Sequence, residues 1–143
     1  MNSVKRQAHR VILLAIVLTV ALPATVEAGS GISICELVKH GEEMNGQPVR
    51  LSAIYFTDLL ETSGIKDLRC PSVVLALFGS DEEPQDPSID KFDKAVAGRL
   101  SDLRLRRFSI DVSGTFVWRK DKMPHGALIM KKIWAFKRVQ GTK

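Results

Sequence analysis

Phe108-Ser-Ile-Asp-Val-Ser-Gly-Thr-Phe-Val-Trp118 alternates apolar or small residues with polar ones as far as Phe116. At a two-residue period Phe108, Ile110, Val112, Gly114, Phe116 and Trp118 share one face. Ser109, Asp111, Ser113 and Thr115 take the other, the pattern of a strand with one buried side. Gly114 inside it predicts a sharp bend or the close approach of another backbone. Upstream the phase reverses, with Leu103 and Leu105 apolar and Arg104 and Arg106 polar. A strand over about 103–118 is therefore expected to slip by one residue, as a bulge, at Arg106–Arg107.

Toward the C-terminus, Lys120–Gly126 is a polar loop holding Pro124, and a last strand covers about Ala127–Val139. In that strand Trp134 and Phe136 share parity with Leu128 and Met130, so they read as core, as does Phe116. Toward the N-terminus comes a helix over about 89–100, capped by Ser88, with Ile89, Phe92, Val96 and Leu100 at helical spacing. Before it, Gly79–Pro87 is an acidic loop with two prolines, and Val73–Phe78 is an apolar, central strand. A short strand, Ile65–Arg69, follows a Thr62-Ser63-Gly64 turn. A longer one, Pro48–Thr57, puts Val49, Leu51, Ala53 and Tyr55 on one side. Ser33 and Glu36 form a capping box for a short helix over about 34–40, stopped by Gly41.

The order is helix, then three strands, a helix and two strands. A mainly β fold is expected: a five-stranded, OB-fold-like β-barrel with a short N-terminal helix and one helix between the third and fourth strands. A plain α+β sandwich is the competing arrangement.

Residues Met1–Ala28 read as a signal peptide. Lys5, Arg6 and Arg10 precede an apolar run from Val11 to Leu22, Pro23 breaks it, and Val26-Glu27-Ala28 sets small residues before Gly29. The run is shorter than the ~20 residues a membrane span needs. A retained, membrane-tethered segment is the alternative, and the only membrane association expected is through that segment. Cleavage leaves a single domain, 29–143, of 115 of the 143 residues. The chain's 21 basic and 16 acidic residues then reduce to a net charge of +3, too little to argue for a polyanionic partner. Cys35 and Cys70 are the only cysteines. In an exported protein they are expected to form a disulfide, with two separately buried thiols as the alternative.

The run Ser33-Ile-Cys-Glu-Leu, then Asn45-Gly-Gln-Pro-Val-Arg-Leu51, Cys70-Pro71 and Phe108–Phe116 resembles a family of small exported bacterial OB-like proteins, largely uncharacterised. The resemblance covers most of residues 32–139 and implies a bacterial envelope location, periplasmic or secreted. It carries no catalytic residue with it.

No enzyme is expected. His40 and His125 have no flanking ligands, Glu42-Glu43 and Asp81-Glu82-Glu83 read as solvated acidic runs, and no phosphate loop or nucleophile elbow occurs. No cofactor or metal is expected either. The leading function is a non-enzymatic binding module whose ligand is a protein, peptide, glycan or small molecule of the envelope. The OB-like fold puts its surface on strands 2 and 3 with the flanking loops, here Lys66, Arg69, Leu59–Gly64 and Arg119–His125 with its Arg119, Lys120 and Lys122, and Trp118 just before it. The alternative is polyanion or single-stranded nucleic-acid binding through the basic C-terminal strands. Trp118 is the one aromatic expected to be exposed there, and an exported protein meets little nucleic acid.

Overall fold

The structure is a computed structural model that describes residues 32–81, 84–99 and 104–140. The leader, Glu82 and Glu83, Leu100 of the predicted helix and Leu103 of the predicted fourth strand lie outside the described residues. The elements are α1 (Ile34–Lys39), α2 (Gly41–Met44), β1 (Pro48–Thr57), β2 (Ser63–Lys66), β3 (Val74–Phe78), α3 (Pro87–Ala97), β4 (Arg106–Trp118) and β5 (Gly126–Arg138).

The five strands close into a barrel in the order β1-β2-β3-β5-β4. Neighbours are antiparallel except β3 and β5, which run parallel because α3 carries the chain across the barrel between them. This is the expected OB-like barrel. The alternation that began in the β4 sequence fills its interior: Val49, Leu51 and Ala53 meet Ile110, Val112, Phe116 and Leu128 in one buried cluster.

Each end of the barrel has its own plug. At one end α3 inserts Phe92, whose ring stands edge-on to Tyr55 (5.2 Å), Phe136 (5.4 Å) and Phe108 (5.8 Å). At the other end Trp118 lies against Gly41 so closely that a Cβ there would overlap the indole. Gly41, expected to stop a helix, instead opens α2, and its missing side chain is what admits the Trp118 ring. The Ser33–Glu36 capping box forms as read, with Ser33 Oγ accepting from the Glu36 N–H at 3.1 Å. The Cys35–Cys70 disulfide then ties α1 to the loop between β2 and β3, with 6.1 Å between the Cα atoms.

Four expectations are corrected. The cap of α3 is Asp86, not Ser88: its carboxylate accepts from the Ser88 N–H at 2.9 Å, and Pro87 fills the first helical position. Ser88 instead offers its hydroxyl oxygen to the Ile133 N–H at 3.0 Å. No bulge occurs at Arg106–Arg107, since β1 and β4 stay in register from Thr57–Arg106 to Pro48–Thr115. Arg106 is polar but buried, because its guanidinium donates to the Val96, Ala97 and Arg99 carbonyls at the end of α3. The register shifts lie instead in β5, where the pairing with β4 skips Lys131 and Trp134. Ile133 thereby takes the inward slot, while Trp134 is half exposed and Phe136, though it touches Phe92, is also open to solvent. Last, Ser63-Gly64 belongs to β2, which ends at Lys66 and leaves Asp67–Val73 as a loop.

Candidate functional site

Strand alternation fixes which side chains face outward. Leu75 is fully buried and Leu77 packs on the core, so Val74, Ala76 and Phe78 of β3 point away from the barrel. Their cross-strand partners do the same: Lys66 pairs with Val74, Ala127 with Ala76, and Ile129 with Phe78. Through β1 and β4 the outward set extends to Ile54 and Phe56, and to Val117 beside Ala127. The result is an apolar strip across β1, β2, β3 and β5. Phe78 is its most open member, 47 % exposed.

Two cations flank the strip. Lys66 Nζ stands 5.7 Å from the centroid of the Phe56 ring, and the Arg119 guanidinium carbon stands 5.7 Å from that of Phe78. Both distances are in the range where a cation is drawn to a ring face. Ala76 and Ala127, paired at the middle of the strip, are themselves covered, 9 % and 1 % exposed, so its accessible surface lies on the flanking side chains, Phe78 above all. Val74, the Leu75 carbonyl and the tip of the Phe56 ring close around Gly64, in the space a side chain there would take. Beyond Lys66 the surface continues into a hollow of about 300 Å³ whose lining includes Ser52, Ile54, Leu68 and Ser109.

Loops bound the strip at the two ends of β3. The β1–β2 loop, 58–62, is wound around Asp58, whose carboxylate accepts from the Leu60, Glu61 and Thr62 N–H groups at 2.9, 3.0 and 2.9 Å. Those bonds, the one from Thr62 foremost, hold the Asp58 carboxyl below its usual range. Leu59 sits at a φ of 64°, a left-handed conformation that costs a branched residue of the order of 1 kcal/mol or more. The loop so fixed presents Leu60 almost fully to solvent. At the other end the β4–β5 loop, 119–125, is closed by the Arg119 N–H donating to the His125 carbonyl at 2.6 Å, and exposes Met123.

The predicted surface residues divide by partner. Lys66 and Arg119 lie on the strip. Arg69 is turned to Asp67, donating from Nε and Nη2 to both carboxylate oxygens at 2.7–3.1 Å. Asp67 is buried, and its pKa is pulled down by that guanidinium and by the Arg69 and Ile34 backbone N–H groups, against the opposing effect of burial. Together with the disulfide this pair fastens α1 to the β2–β3 loop. Lys120 reaches Glu42 at 3.5 Å, and Lys122 is exposed in the β4–β5 loop. Trp118 is half-buried in the barrel mouth, 6.0 Å from the His125 ring, and is not the exposed aromatic expected.

Sequence reasoning missed Phe78 and Phe56, whereas Leu60 falls in the Leu59–Gly64 loop that it assigned to the surface. Phe78 carried a usable signal, since it ends an apolar run immediately before a polar loop. It also missed Trp134, which stands exposed with the Arg50 guanidinium and Lys132 Nζ each 4.4 Å from the ring centroid. Arg50 is in turn bidentate on Asp111 at 2.7 and 2.9 Å, and Lys132 is 3.7 Å from Asp86. No group of three metal-ligating side chains occurs among the described residues. Comparison of the chain with family models, with curated proteins and with solved structures gave no match.

Proposed function

We propose that this protein is an exported, non-catalytic OB-like binding module of the bacterial cell envelope, taking a protein, peptide, glycan or small-molecule ligand on the outer face of β2 and β3. The observation that carries the reading is the apolar strip itself. A folded domain gains nothing in stability by leaving Phe78 open beside Phe56, Val74 and Ile129, and apolar surface of this kind, rimmed by polar groups, marks interaction sites. OB-like barrels bind on this face between the β1–β2 and β4–β5 loops. Export is supported by the leader pattern of Met1–Ala28, and the disulfide is consistent with an oxidising compartment, periplasmic or extracellular. The resemblance to small exported OB-like proteins points the same way.

The test uses 1-anilinonaphthalene-8-sulfonate, an apolar anion matched to a strip flanked by Lys66 and Arg119. Its fluorescence is expected to rise with the native protein and to fall to the background level with Phe78→Ser. Equal fluorescence from both proteins contradicts the reading.

A second reading, polyanion binding through the C-terminal strands, is favoured by one observation: Trp134 and Phe136 are exposed beside Lys132, Lys137 and Arg138. It predicts retention on heparin that falls steeply with salt as counterions are released. Retention that is absent, or insensitive to salt, removes it.

A further inference from the structure

We propose that the strip on β2, β3 and the start of β5 docks an extended segment of a partner polypeptide, apolar along its length and bearing carboxylates where it passes Lys66 and Arg119. The proposal rests on the binding face argued above and names the class of ligand it takes.

Spacing gives the first argument. Val74, Ala76 and Phe78 recur every second residue, so their side chains are about 7 Å apart, and the whole of β3 spans about 16 Å. An extended peptide repeats its same-side side chains at that same interval. Roughly five of its residues would cover the strip, its larger side chains packing against Phe78 and the part-exposed Val74 and Ile129. In the closed barrel β2 lies between β1 and β3, and β3 lies between β2 and β5, so a ligand lying across this face engages its side chains.

Charge gives the second. None of the outward positions Gly64, Lys66, Val74, Ala76, Phe78, Ala127 and Ile129 is acidic, and the two cations stand over aromatic rings. A carboxylate arriving at Lys66 or Arg119 therefore meets no competing anion on the strip. The ends differ, however: Asp58, Glu61 and Asp81 lie beyond the Phe78 end, whereas Lys122 lies in the loop at the Val74 end. A polynucleotide, uniformly anionic, would run into those carboxylates, while a peptide can change sign along its length. The exposed loop residues Leu60 and Met123 are set at opposite ends of β3, as flanks to a strip and not as a single tip entering a bilayer.

The experiment pans a displayed library of random dodecapeptides on the purified protein, then maps enriched peptides by amide shift perturbation. Enriched sequences are expected to alternate apolar residues with Asp or Glu and to perturb β2, β3 and Arg119. Phe78→Ser and Arg119→Glu should each weaken the best peptide by at least about tenfold, whereas Lys137→Glu should leave it unchanged. Lys66→Glu, on the other side of the strip, is the second variant and should weaken it too, with circular dichroism melts establishing that each variant folds. Absence of enrichment, peptides that perturb another surface, or tighter binding to this face by an oligothymidylate or by phosphatidylglycerol vesicles would overturn the proposal. If the anilinonaphthalene dye still maps to the strip when peptides fail, the binding face stands and only the ligand class is wrong.

Discussion

Asp67 shows how much of this molecule rests on single side chains that no local pattern announces. Its carboxylate is buried, yet ionised, because Arg69 meets both oxygens and the backbone of α1 donates to it. Its folded pKa is depressed, so its stabilisation is complete above the ordinary carboxylate value near pH 4 and is lost as pH falls through the lower, folded value. Glu36, Asp58 and Asp86, lowered by their capping and turn hydrogen bonds, act in the same direction. Asp67→Asn should cost about 1.5–3 kcal/mol near neutral pH, the range for hydrogen bonds to a charged group. In urea titrations the gap between wild type and variant should close as pH drops to about 3, and an unchanged gap would contradict this role. In the sequence Asp67 was only one polar residue in a presumed strand. Arg106 was misread for a related reason: its partners are carbonyls at the end of α3, reachable only once the barrel has closed.

At the scale of elements, the N-terminal helices are the part most dependent on a covalent tie. The disulfide closes a loop of 35 residues, for which loop entropy gives about 4 kcal/mol. A Cys35→Ser/Cys70→Ser protein should lose stability of that order in denaturant. Its hydrogen exchange should accelerate in α1 and α2 before α3, and uniform acceleration would show that α1 and α2 are not a separate unit. The two aromatics on α3 and β5 make an opposite pair. Phe92→Ala should cost about 3–5 kcal/mol because it unplugs the barrel, whereas Trp134→Ala, half exposed over Arg50 and Lys132, should cost about 1 kcal/mol. Similar losses measured by thermal melts would contradict that division. Legibility followed regularity. The bounds of β1 and the alternation of β4 were readable because every residue obeys one period. β5 was not, since the skips at Lys131 and Trp134 change the parity twice and no turn residue marks them. The Asp86-Pro87 cap was legible, as Pro at a first helical position is a start signal, but Ser88 drew the reading two residues too late.

On the scale of the whole molecule, the barrel is plugged at both mouths. The five strands close on one another, α3 and Phe92 fill one mouth, and Trp118 over Gly41 fills the other. On its outer wall, among the described residues, the strip of Phe56, Val74, Phe78 and Ile129 stands partly open, with Lys66 and Arg119 beside it. The order of strands and helices led to the fold, and the fold led to this face; but the residues that make the face apolar became visible only when inward and outward could be told apart. The central claim is that the strip is where the protein binds. It is tested most directly by mapping the anilinonaphthalene dye on the ¹⁵N-labelled protein. The account predicts shift changes confined to β2, β3, the start of β5 and Arg119, absent in a Phe78→Ser variant whose thermal midpoint is unchanged. Changes centred on Trp134 and Phe136, or on the Trp118 mouth, would contradict it.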